Sequence, residues 1–83
     1  MNRVYITVEI LEIKYKFLPK DKKNAVCKIK GILNNNSEIE ILAYDKMADK
    51  CYRKLEKNKI VVIEGVLNTE MKIILLSFEN MSY

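Results

Sequence analysis

The side chains able to do chemistry here are lysines, a few tyrosines and scattered carboxylates, and their spacing narrows what that chemistry is. Histidine is absent from all 83 residues, and Cys27 and Cys51 stand far apart with no Cys-x-x-Cys. Zinc coordination and dithiol exchange need such sets, so neither is expected, and the cysteines read as small reduced hydrophobes in a core. Asp45 and Asp49 stand at helical spacing, but no nucleophile accompanies a base. They read as a helix cap and a solvated face, and neither catalysis nor a cofactor is expected. The remainder is cationic: Lys20, Lys22 and Lys23 in a loop led by Pro19, and Lys28 and Lys30 two residues apart. Lysines grouped this way suit phosphate contacts, which release condensed counterions, although the loop also reads as an ordinary solvated turn.

Composition sets the bounds. The chain is long enough for one domain and too short for two. Lys plus Arg number 15 against 11 for Asp plus Glu, giving a net charge of +4, a bias that suits a polyanionic partner. Thirteen of the basic residues are lysine, and with abundant Ile and Asn this resembles the product of an AT-rich genome. No stretch approaches the roughly 20 apolar residues of a membrane span, and the N-terminus opens directly into a strand pattern. The whole chain is therefore expected to be the mature protein, in a reducing compartment.

The elements that must carry these lysines follow from periodicity. Val4, Ile6, Val8 and Ile10 alternate with Arg3, Tyr5, Thr7 and Glu9. The phase then slips, so that Leu11, Ile13, Tyr15 and Phe17 take over the apolar side. A long first strand with a bulge near Ile10-Leu11 is predicted, able to bend and serve two sheets. Residues 25 to 33 form a second strand with Cys27, Ile29 and Leu33 on one parity and Val26, Lys28, Lys30 and Ile32 on the other. Asn34-Asn35-Asn36-Ser37 turns it into a third strand over 38 to 44, making a hairpin. Glu38, Glu40, Leu42 and Tyr44 then share the face of Lys28 and Lys30. From Asp45, Met47, Ala48, Cys51, Tyr52 and Leu55 recur at three and four residues, which predicts a helix over 45 to 57 with Asp45 as N-cap and Asn58 at its end. A fourth strand starts at Ile60, interrupted at Glu64-Gly65 by a bulge or sharp bend. After a tight turn at 68 to 71, a fifth runs from 72 to 78.

Five strands, a bulged first one, and a single helix between the third and fourth give the element order of the OB-fold, an all-β Greek-key barrel. The runs 60–63 and 73–76 are apolar on both parities, more than so small a barrel can cover. The first strand, from Arg3 to Val8, reads as an open edge. At least a homodimer is expected, paired through that edge across a two-fold axis.

The stretch from Ala43-Tyr44-Asp45-Lys46-Met47-Ala48-Asp49 through Glu56-Lys57-Asn58, Val61, Ile63-Glu64-Gly65, Leu67 and Thr69 resembles the bacterial and organellar single-stranded DNA-binding protein family. That family's pattern there is close to A-F-G-K-L-A-E, then K-K-G, then V-x-V-E-G-x-L-x-T. Asn2-Arg3-Val4, Lys16-Phe17-Leu18-Pro19, Ala25-Val26 and Glu79-Asn80-Met81 add matches in the same order. The chain also looks like the short, tail-less forms of that family encoded in algal plastid genomes, and its length is comparable to that of the family's primosomal relative. The resemblance implies an OB barrel that binds single-stranded DNA, or RNA, in replication or repair. It implies a homodimer or a homotetramer, the latter stacked through outward residues such as Val62, and a plastid stroma or a bacterial-type cytoplasm. Tyr44 stands at the family's base-stacking Phe and Arg3 at a basic position. With the lysines above, the expected binding set is Arg3, Lys20, Lys22, Lys23, Lys28, Lys30 and Tyr44.

The departures are equally specific. There is no Trp to stack on bases, Glu38 and Glu40 replace an aromatic and a basic residue, the hairpin between strands four and five is cut short, and no acidic tail follows Met81. The alternative expectation is an OB scaffold or protein-interaction subunit that has lost tight nucleic-acid binding. Tyr44 has a plainer reading as well, a barrel-edge aromatic packed on the hairpin.

Overall fold

The computed structural model describes residues 2–17 and 25–81. The elements are β1 (Arg3–Phe17), β2 (Ala25–Ile32), β3 (Glu38–Tyr44), α1 (Asp45–Lys54), β4 (Ile60–Leu67) and β5 (Ile73–Asn80). The strands close into a barrel in the order β1-β2-β3-β5-β4, all antiparallel except the short parallel contact of β3 with β5, where Ile41 and Leu42 meet Ile73 and Ile74. This is the OB-fold expected from the element order.

β1 makes the closure possible. Arg3 to Glu9 pair with β4, Glu9 to Phe17 pair with β2, and the register slips between Ile10 and Glu12. The expected bulge bends one strand across both halves of the barrel. β4 has its own register shift between Glu64 and Gly65. Alternation puts Val8, Ile10, Cys27, Ile29, Ile41, Ala43, Val61, Ile63, Ile73 and Leu75 inside, the register shift brings in Phe78, and Ala48, Cys51 and Leu55 of α1 complete the core. Each large aliphatic side chain so buried contributes roughly 1.5–3 kcal/mol. The cysteines are buried and reduced as expected. The neighbouring Cys27 thiol, together with burial, pushes the Cys51 thiol up.

The helix differs from expectation at both ends. Tyr44, with extended backbone, is the N-cap, and no side chain among the described residues caps the helix. Asp45 instead has φ 55°, the left-handed conformation that Asp and Asn adopt more readily than most residues. Its carboxylate lies in the first turn, where it meets the positive end of the helix dipole. The helix stops at Lys54, three residues before the expected end, because Leu55 goes extended to bury its side chain while its N–H still donates to the Cys51 carbonyl. Asn58 does adopt positive φ, 68°, but in the following turn, where its N–H donates to the Ile10 carbonyl across the barrel.

Two strand ends also move. Leu33 leaves β2 to close the turn, donating to the Ser37 carbonyl and accepting from the Asn36 N–H, with Asn36 at φ 65°. β5 starts one residue later than expected and runs on to Asn80, held by pairing with Val61 and Val62. The turn at 68–71 is as tight as expected. The Asn68 side-chain oxygen accepts from the N–H groups of Glu70 and Lys72, and the Asn68 carbonyl accepts from the Met71 N–H.

Candidate nucleic-acid interface

The registers of β1 with β2 and of β2 with β3 lay the outward side chains in rows across three strands. Lys16, Val26 and Tyr44 form one row, Lys14, Lys28 and Leu42 the next, and Glu12, Lys30 and Glu40 a third, with Ile32 and Glu38 beyond. Lys28, Lys30 and Tyr44 thus share one face, as their parity predicts. Tyr44 is 44% exposed, so its ring is open to a ligand. Leu42 keeps the outward parity but is only 8% exposed, an apolar floor between the charged rows. Glu12, Lys14, Lys28, Ile29, Lys30 and Glu40 line a shallow groove of about 260 Å³.

Lys14 and Lys16 belong to this face and are absent from the expected set. The signal was present: past the bulge, Lys14 and Lys16 alternate with Ile13, Tyr15 and Phe17, which puts them on the polar side of β1. Arg3 sits elsewhere. It pairs with Val66 at the start of β1, and its guanidinium lies 3.1 Å from Glu64, which also accepts hydrogen bonds from the hydroxyls of Tyr5 and Ser77. Lys20, Lys22 and Lys23 lie outside the described residues.

The electrostatics of the face are mixed. Glu12 lies 3.4 Å from the Lys14 ammonium and 3.9 Å from that of Lys30, and Lys30 also reaches Glu38 at 3.8 Å. Glu40 is held by Lys72 of the turn before β5, at 3.7 Å, and Lys72 also reaches Glu70 at 3.8 Å. These pairs are solvent-exposed, so each contributes about 0–1 kcal/mol and a phosphate can displace the carboxylate at little cost. Lys16 and Lys28 have no carboxylate within 4.0 Å among the described residues. No group of His, Cys, Asp and Glu among the described residues is arranged to hold a metal. No described helix is long and apolar enough to cross a membrane.

The architecture and this face together describe an OB barrel whose outer sheet carries Tyr44 among lysines and glutamates. Solved structures share that fold. The SSB domain of a Synechococcus protein superposes with a TM-score of 0.80 at 16% identity, covering 95% of this chain and 94% of that one. PriB from Ralstonia solanacearum superposes with a TM-score of 0.72 at 15% identity, covering 98% and 99%. No protein-family model matches the sequence, and no curated protein is significantly similar to it. The fold likeness therefore extends over nearly the whole chain, at an identity too low for sequence comparison to register.

Proposed function

We propose that the outer face of β1, β2 and β3 binds single-stranded nucleic acid with little sequence preference, in DNA replication or repair. The observation that carries this reading is the exposed Tyr44 ring in line with Lys16 and beside the row of Lys14 and Lys28. A base stacked on an aromatic ring contributes roughly 1–3 kcal/mol whatever its identity, while the lysines neutralise flanking phosphates. Likeness in fold to a structure described as an SSB domain supports the same ligand class. We read the chain as a binding module with no catalytic step. A plastid stroma or bacterial-type cytoplasm accords with the lysine- and asparagine-rich composition.

The test is fluorescence anisotropy with labelled oligo-dT across a salt series. Tyr44→Ala should weaken binding by a similar factor at every salt concentration. Lys28→Ala should flatten the salt slope by about 0.7, the single-strand value for one phosphate contact, and Lys30→Ala by less, because Lys30 is shared with two glutamates. No anisotropy change for the wild-type chain at low salt would refute the reading. The second reading, a scaffold that has lost its ligand, draws on Glu12, Glu38 and Glu40, which occupy the same face, Glu12 and Glu38 holding its Lys14 and Lys30 in ion pairs.

Assembly belongs to the same proposal. On the β4 side, β1 exchanges hydrogen bonds through its even-numbered residues: the Asn2 carbonyl accepts from the Leu67 N–H, and the Ile10 N–H donates to the Lys59 carbonyl. In an antiparallel ladder the intervening residues Arg3, Tyr5 and Thr7 then aim their N–H and C=O groups the other way, where β2 pairs only from Glu9 onward. A barrel that is closed in its strand order thus keeps an open edge over Arg3 to Val8, suited to self-pairing in a homodimer. A further face, with Val62 half-buried, Ile60 40% exposed and Leu76 39% exposed, suits stacking into a homotetramer.

A further inference from the structure

The barrel wall carries both paired and unpaired cations, Lys16 and Lys28 being the unpaired ones among the described residues, whereas all four cations of α1 are unpaired there. Arg3, Lys14, Lys30 and Lys72 each lie within 4.0 Å of a carboxylate; Lys46, Lys50, Arg53 and Lys54 of α1 have none among the described residues. Their spacing puts Lys46 and Arg53 opposite Ala48, Cys51 and Leu55, which plug the barrel, with Lys50 and Lys54 displaced toward one flank of the helix. Asp49, four residues before Arg53 and so placed to pair with it, accepts a hydrogen bond from the Tyr15 hydroxyl instead. The helix dipole accounts for Arg53 and Lys54 in the last turn, but not for Lys46 and Lys50. Lys46, Lys50 and Lys54 follow one another at four-residue spacing, where like charges repel, so the stripe weakens the helix that carries it unless an anion lies along it.

We infer that this stripe is a second contact surface for the single strand held at Tyr44, with Lys50, Arg53 and Lys54 following its phosphates along the helix. The inference rests on the binding reading above and extends it. Two features favour this occupant. Tyr44 directly precedes α1, so a strand leaving its ring meets the head of the stripe at once. The helix of 10 residues, about 15 Å long, then presents cations along its whole length. Lys50 is fixed at the barrel side of the stripe, its ammonium 5.2 Å from the centre of the Phe78 ring. Sequence-independent phosphate contact needs only such a row of unneutralised cations.

The double variant Arg53→Gln/Lys54→Gln tests this, since both side chains are exposed and Gln is a comparable helix former. Oligo-dT of about 8 nucleotides fits one barrel face, and one of about 30 exceeds what a single OB barrel covers. The double variant should bind the short strand as the wild type does. It should bind the long strand at least about tenfold more weakly at low salt, with the salt slope flattened by about 1.4 for two lost phosphate contacts. Equal affinity of variant and wild type for the long strand would overturn the inference, and so would an equal loss on both lengths. If the wild type binds neither length, the binding reading fails and this inference falls with it. Co-sedimentation with anionic phospholipid vesicles that the double variant abolishes, beside unchanged long-strand binding, would also overturn it and give the stripe to a lipid surface. Far-UV circular dichroism checks that the helix is intact in the variant.

Discussion

Tyr15 shows how a single side chain ties the cap to the wall. It lies on the apolar parity of β1, half-buried, with its ring 4.7 Å from that of Tyr52 on α1 and tilted by 38°. Its hydroxyl donates to Asp49, and that hydrogen bond, with desolvation and the carboxylate charge, raises the phenol above its ordinary range. The neutral phenol is the favoured form. The stabilisation is therefore present in full below the unfolded-state value near 10 and is lost as pH rises through the higher folded-state value. Absorbance titration of the five tyrosines should show one ionising late, and Asp49→Asn should bring it back toward the others. An unchanged titration curve in that variant would show that the contact does not form in solution. The parity of Tyr15 was readable from the sequence, but its partner 34 residues away was not, because only docking of α1 brings Asp49 to it.

At the scale of elements, the barrel depends on two places where strands depart from regular pairing. At the β4 bulge, a Cβ on Gly65 would collide with Ile73 Cγ2 and would lie 2.6 Å from the Ile74 carbonyl oxygen. That oxygen is backbone held in the β4–β5 ladder, so it cannot yield without loss of pairing. Gly65→Ala should lower the urea midpoint by an amount equivalent to about 1–3 kcal/mol or more. At Gly31 the same change meets the Val8 Cβ at 3.2 Å, a contact that a small shift relieves, so Gly31→Ala should be milder. Equal midpoints for Gly65→Ala and wild type would show that β5 tolerates displacement. A Gly after Glu64 in an apolar run announced the bulge, whereas the end of α1 was hidden. Leu55 continues the helical period, and only the barrel floor decides that it turns inward as extended chain.

The question for the whole molecule is whether the open edge of β1 is covered by a second copy. Thr7 is exposed and its N–H points to the free side, so proline there removes a donor from a dimer ladder without removing one from the β4 ladder. Light scattering at micromolar concentration should give at least twice 9.8 kDa for the wild type and a folded particle near 9.8 kDa for Thr7→Pro. A wild-type mass of 9.8 kDa would refute the assembly. A Thr7→Pro particle as large as the wild type would move the interface elsewhere, first to the face with Val62, Ile60 and Leu76.

Alternation in β1 to β3, the phase slip at Ile10-Leu11, the Asn-rich turn and the switch to helical period at Asp45 are local signals, and together they determined the element order and the shared face of Lys28, Lys30 and Tyr44. What lies along the chain's own periodicity is legible because side-chain direction in a strand or helix follows from position alone. Only the tertiary structure decided which of those charges are neutralised. Lys30 is shared between Glu12 of β1 and Glu38 of β3, Arg3 is drawn to Glu64 across the β1–β4 ladder, and the cations of α1 have no carboxylate partner among the described residues. Those pairings join residues far apart in sequence, so they depend on register and closure, which no local pattern encodes.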